Sequence, residues 1–158
     1  MAETPARVAP VYKNYFCGYE QNPEEFLLKT FAETAGYHEM ILLRRIPFHT
    51  HCEHHIAPII GQAWLGYVPR RRVVWISRLA RVVEAYASRL QIQERLTAEI
   101  ADTFEKVLKP EGVGWSGYQG AHHCITSRGV QKHGVDLTTS RMLGCFRDNP
   151  VIGRDFWQ

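Results

Sequence analysis

Residues 40–56 read Met40-Ile-Leu-Leu-Arg-Arg-Ile-Pro47-Phe48-His-Thr-His-Cys52-Glu-His-His55-Ile56, and the rest of the chain is organised around this stretch. Its first half, Met40 to Pro47, is an apolar run that predicts a strand. Its second half places one thiol and four imidazoles within seven residues, His49 to His55, at the end of that strand. Cys52 and His55 form a C-x-x-H pair, which is metal-ligand spacing. Thiolate and neutral imidazole are preferred donors for Zn2+, and a tetrahedral catalytic ion takes a third protein donor and leaves its fourth position to water. Cys124, in Ala121-His-His-Cys124, is the candidate third donor. The competing reading is a set of packed or solvated histidines beside a buried free thiol.

Toward the N-terminus, Thr4-Pro5 opens a predicted helix that carries Val8, Val11, Tyr12 and Phe16 and stops at Gly18. Asn22-Pro23-Glu24-Glu25 starts a second, with Phe26, Leu27, Phe31 and Ala32 on its apolar side before Gly36. Toward the C-terminus, Ile59 to Val68 and Val73 to Ile76 predict a hairpin across Arg70-Arg71-Arg72. Ser77 is the expected cap of a helix with Leu79, Val82, Val83, Tyr86 and Leu90 at helical steps. Another helix carries Leu96, Ile100, Phe104 and Leu108 until Lys109-Pro110 ends it. Gly112 to Thr126 predicts a strand pair or one kinked strand that delivers Cys124, since Gly114, Gly117 and Gly120 are costly in a regular strand. Gly134 to Phe146 reads as a last strand, and Arg147 to Gln158 as a short polar tail.

A chain of 158 residues fits one domain with a core of its own. A hydrophobic fraction of 45% and a charged fraction of 22% exclude global disorder. The net charge of +3 permits an anionic ligand but falls short of a nucleic-acid footprint. Cys17, Cys52, Cys124 and Cys145 lack the density of a secreted disulfide scaffold. With no signal-like start and no membrane-length apolar run, no membrane partner and a reducing, cytoplasmic setting are expected.

Several motifs then follow one another in a fixed order: Thr4-Pro-Ala-Arg7, Cys52-Glu-His-His55, Ile76-Ser-Arg-Leu-Ala-Arg81, Gln91-Ile-Gln-Glu-Arg-Leu-Thr97, His122-His-Cys-Ile-Thr-Ser-Arg-Gly-Val130 and Met142-Leu-Gly-Cys-Phe-Arg147. Together they resemble the GTP cyclohydrolase I family, over nearly the whole chain. The resemblance implies one catalytic domain over 1–158 with a shortened N-terminal helical region. It also implies an α+β tunnelling fold, an antiparallel sheet with two long helices on one face, assembling into a barrel-forming homo-oligomer, a decamer of two pentamers.

The resemblance further implies zinc on Cys52, His55 and Cys124, GTP as substrate, His122 as the group that protonates N7, and His54 and Ser77 assisting later proton transfers. Glu94, with Gln93 beside it, matches the guanine-binding position. Arg78, Arg81 and Arg128 match triphosphate-binding positions, and Arg7 one supplied by a neighbouring subunit. The implied product, 7,8-dihydroneopterin triphosphate, heads tetrahydrofolate and one-carbon, biopterin and deazaguanine routes. Arg78 stands where the family usually has lysine, and Trp75 where it usually has glycine, beside the expected ligand pocket. Arg45 replaces a common aspartate and adds positive charge near the metal stretch, and glycines interrupt the strand before His122. The alternatives are a divergent paralogue acting on another purine nucleotide or stopping after ring opening, and a zinc-stabilised assembly subunit without turnover.

Overall fold

Alternation along the first long strand decides what faces the core: Ile46, Phe48, Thr50 and Cys52 are buried, whereas Arg45, Pro47 and His49 are exposed. The structure is a computed structural model that describes residues 1–31 and 36–158. In chain order its elements are helix α1 (Thr4–Tyr15), a 3-10 turn (Cys17–Glu20), α2 (Pro23–Leu28), strands β1 (Thr30–Phe31), β2 (Ile41–Cys52), β3 (Pro58–Val68) and β4 (Val73–Val74), and helix α3 (Ile76–Ala87). They continue with β5 (Leu90–Gln91), α4 (Gln93–Leu108), β6 (Gly112–His122), α5 (His123–Thr126), β7 (Asp136–Gly144), α6 (Cys145–Asp148) and α7 (Pro150–Phe156).

The main sheet runs β5-β2-β3-β6-β7, antiparallel except for the short β5, which lies parallel to β2 at Cys52↔Gln91. One face packs on α3 and α4. Ala63, Leu65, Tyr67 and Trp115 from the sheet meet Leu79, Val83, Ile100 and Phe104 from the helices. Fully burying such side chains contributes about 1.5–3 kcal/mol each, so this interface holds the sheet flat against the helix pair. The alternate residues of β3 face the other way, where Trp64 and Val68 join Phe146 and Phe156. Gly66 leaves space there: a Cβ would stand 3.1 Å from the Phe156 ring.

Several expectations are corrected. Ile59 to Val68 forms no hairpin with Val73 to Ile76; it is the central strand between β2 and β6, while β4 pairs with β1 in a separate two-stranded sheet. The reason is that β3 is apolar on both faces, and the Val68 carbonyl at its end accepts from the Glu111 N–H at 2.9 Å. Ser77 does not cap α3; Trp75 holds that position without a side-chain cap and meets Phe31 at a tilt, ring centroids 4.9 Å apart. Phe31 is therefore in a strand rather than in the second helix, and Ala32 lies outside the described residues. Leu90 belongs to β5, not to the helix. Of the two readings of Gly112 to Thr126, the single interrupted strand is the one found: β6 ends at His122, its pairing to β7 is broken between Gly117 and Gly120, and α5 follows. The polar tail is in fact two short helices that bury Phe146 and Phe156.

Candidate metal centre

The pairing register assembles the site. Thr50 lies opposite Ile59, and Ile59 lies opposite His122, so the end of β2 and the end of β6 flank the start of β3. Beyond Cys52 the chain turns sharply. The Cys52 carbonyl accepts from the His55 and Ile56 N–H groups at 3.3 and 2.7 Å, its own N–H donates to Ala57 at 2.8 Å, and Ile56 adopts a left-handed φ of 55°. That turn brings His55 back over Cys52. Past His122, α5 turns Cys124 in from the other side.

Cys52 Sγ lies 3.8 Å from His55 Nδ1, and with Cys124 Sγ these donor atoms all fall within 4.8 Å of one another. In a tetrahedral zinc site, bonds of about 2.3 Å to sulfur and 2.0–2.1 Å to nitrogen separate the donors by roughly 3.5–3.8 Å. The group therefore fits the ion by chemistry and by spacing. Burial first, and then the neighbouring Cys52, push the Cys124 thiol above its ordinary pKa, so the two sulfurs compete for charge that a cation would relieve.

Around this group stand three residues singled out from the sequence. His54 Nδ1 is 3.9 Å from Cys52 Sγ, on the exposed side of the turn. His122 is half-buried; burial lowers its pKa, and the Glu94 carboxylate acts in the opposite sense. Glu94 is exposed in the first turn of α4. A fourth, Arg128, donates to His55 Nε2. A ring bound to a cation through Nδ1 would keep its proton on Nε2, so this contact and ligation through Nδ1 are alternatives.

Gln93 is buried, with its amide engaged by Leu137, Thr139 and His122. His51 is buried beside Tyr15 and Phe16, its pKa lowered by desolvation and then by His49.

Other candidates are not brought here within one chain. Ser77, Arg78 and Arg81 sit in the first turns of α3, whose other end leads into β5 beside Cys52; Ser77 to Ala87 is ten residues, about 15 Å along a helix axis. Arg7 lies on α1 and pairs with Glu3 at 2.6 Å. Arg45 is seven residues before Cys52 on β2, about 23 Å at strand rise, so its charge is not near the metal group as expected.

Sequence reading missed Arg95, which ion-pairs with Glu53 inside the metal-binding turn. The opposite charges were visible, but nothing local places residue 95 against residue 53.

A sequence model described as GTP cyclohydrolase I matches residues 1–158. A GTP cyclohydrolase 1 from Brucella anthropi is 46% identical over 144 residues, covering 91% of this chain and 67% of that protein. Among solved structures, the apo form of the archaeosine synthase QueF-Like superposes with a TM-score of 0.55 at 16% identity, covering 66% of this chain and 93% of that one. At that identity the superposition speaks for the fold alone.

Proposed function

The chain belongs to the GTP cyclohydrolase I family, and from that premise we propose that it opens the guanine imidazole ring of GTP, releases C8 as formate and recloses the product to 7,8-dihydroneopterin triphosphate. The observation that carries this reading is the Cys52, His55 and Cys124 group with His122, at the end of β6, two residues from Cys124 in α5. Zinc held by those three residues would supply a water acidified to near neutrality at C8.

The chain's own residues divide the remaining work. His122 gives a proton to N7 as C8 becomes tetrahedral, a transfer an imidazole nitrogen can make and reverse. Glu94 offers two carboxylate oxygens to the guanine N1–H and exocyclic amine. His54, at the mouth of the turn, serves the later proton transfers. Arg128, free of His55 once zinc is bound, turns to the triphosphate.

Arg78, Arg81 and Arg7 complete the phosphate site, and Ser77 joins the later proton transfers, from neighbouring copies of the chain. Three features support a tunnelling-fold homo-oligomer, a decamer of two pentamers. The triphosphate candidates on α3 lie at the opposite end of that helix from Cys52. Among the described residues, strand β7 has no neighbour on its outer edge in the main sheet. Helix α1 buries none of its residues, leaving Val8, Val11 and Tyr12 exposed. Closing sheet edges between copies would satisfy their backbone groups.

The test is metal analysis followed by incubation with GTP. Bound zinc and a fluorescent pterin after oxidation and dephosphorylation are expected. Zinc without GTP consumption would overturn the reading, and a formamidopyrimidine that accumulates without pterin would replace it with arrested ring opening.

A further inference from the structure

Gln93 opens α4 and is 1% exposed, yet every polar atom of its amide is engaged. Its Nε2 donates to the Leu137 carbonyl at 2.9 Å and to Thr139 Oγ1 at 3.2 Å, with the Gly117 carbonyl at 3.4 Å. Its Oε1 lies 2.9 Å from His122 Nε2. The amide cannot be turned over, because its oxygen would then face two carbonyl oxygens. With the orientation fixed, the consequence reaches the histidine. An amide oxygen only accepts, so the ring nitrogen facing it carries a hydrogen. In a neutral imidazole the other nitrogen, Nδ1, then holds the lone pair, and among the described residues Nδ1 has no hydrogen-bond partner.

Gly120, in the interrupted part of β6, makes this arrangement possible. A Cβ at Gly120 would stand 2.1 Å from Gln93 Oε1, and one at Gly117 3.4 Å from its Nε2. The pairing of β6 with β7 breaks between the same two residues. The irregular strand is thus the housing of one buried amide.

We infer that Gln93 is a positioning residue that holds His122 with its Nε2–H turned into the protein, making Nδ1 the nitrogen that exchanges a proton with the substrate. This rests on the reading of His122 as the proton donor in ring opening. Nδ1 takes a proton from solvent, passes it to the guanine N7 and returns to the neutral ring, while the Nε2–H bond to Gln93 stays unbroken throughout.

A neutron crystal structure of the full-length protein at about pH 8, where a ring of ordinary pKa near 6.5 is neutral, tests the tautomer directly. Deuterium on His122 Nε2 and none on Nδ1 is expected; deuterium on Nδ1 facing a bare Nε2 would overturn the inference. Two variants test the consequence. Gln93→Met removes the amide at similar volume, and Gly120→Ala leaves both residues in place but drives the amide off the ring. Both should keep zinc and secondary structure while single-turnover ring opening falls about tenfold to a hundredfold, the usual cost of losing an orienting partner. KM for GTP should hold while kcat falls. An unchanged rate in both variants, or a raised KM at unchanged kcat, would make Gln93 a packing residue or a ligand contact instead. Should the wild-type protein not open GTP at all, the functional reading falls, and the deuterium position still decides the role of Gln93.

Discussion

Glu53 and Arg95 form an ion pair that fastens the turn between Cys52 and His55 to the start of α4. Arg95 is itself anchored, donating to Gln91 Oε1 at 3.1 Å and to the Leu90 carbonyl at 3.2 Å. Both charged side chains are part-exposed, at 41% and 32%, so the pair adds at most about 1 kcal/mol to stability. Its effect is to fix where the turn presents His55.

Arg95→Met should therefore leave thermal unfolding nearly unchanged but weaken zinc binding about tenfold or more, as loss of residues supporting a ligand commonly does. Competition with a chromophoric chelator measures this. Equal affinity in the variant would mean that the backbone turn alone positions His55.

Removing a donor should empty the site. Cys52→Ser and Cys124→Ser are expected to copurify without zinc and without ring-opening activity, whereas His54→Ala keeps its metal. Elemental analysis of the three proteins separates ligand from neighbour, and a metal-free His54→Ala would move His54 into the ligand set. Dialysis of the wild-type protein against a chelator should abolish activity and added zinc restore it.

His51 gives stability a pH dependence. Burial, and then His49, hold its pKa below the ordinary 6.5, so the folded state prefers the neutral ring more strongly than the unfolded chain does. A depressed folded pKa means this contribution is present above about pH 6.5 and lost as pH falls through the lower folded value. Melting temperature should drop on acidification from pH 7 toward 5, and His51→Asn should flatten that drop. Parallel curves for both proteins would assign the acid sensitivity to other groups.

Gly18 touches backbone that cannot move aside. A Cβ there would stand 2.1 Å from the Ala85 carbonyl oxygen and 2.7 Å from that of Ser88, to which the Gly18 N–H donates at 3.0 Å. Gly18→Ala should cost about 1–3 kcal/mol, read as a lower denaturation midpoint in urea.

The C-terminal helices are structural. Phe156 is 1% exposed and packs edge-on against Phe146, ring centroids 5.7 Å apart. Phe156→Ala should destabilise by about 3–5 kcal/mol. A loss under 1 kcal/mol in chemical denaturation would show that α7 folds independently of the sheet.

Much of this was legible from local pattern. The helical spacing of Leu79, Val82, Val83 and Tyr86, and of Leu96, Ile100 and Phe104, gave α3 and α4 because a helix writes its buried face into residues three and four apart. Cys52 and His55 were legible for a similar reason: one tight turn brings residues three apart together. The β3 partner was not legible, since an apolar strand advertises burial but not its neighbours. The tail from Arg147 was misread because Phe156 and Trp157 among polar residues carry no periodicity, and only contact with β3 shows that Phe156 is core.

By itself, the sequence determined the chemistry on offer: two thiols and an imidazole at ligand spacing, a second histidine two residues from the distant cysteine, and a helix pair to carry a sheet. Those depend on residue type and short-range geometry. Only the tertiary structure decided that Gln93 is buried against His122, that a side chain at Gly120 would collide with its amide, and that Ser77, Arg78 and Arg81 begin α3 at its far end from Cys52. These are matters of strand register and helix direction. They join residues tens of positions apart, and hydrogen-bond closure and core packing across the whole chain, not any local pattern, fix them.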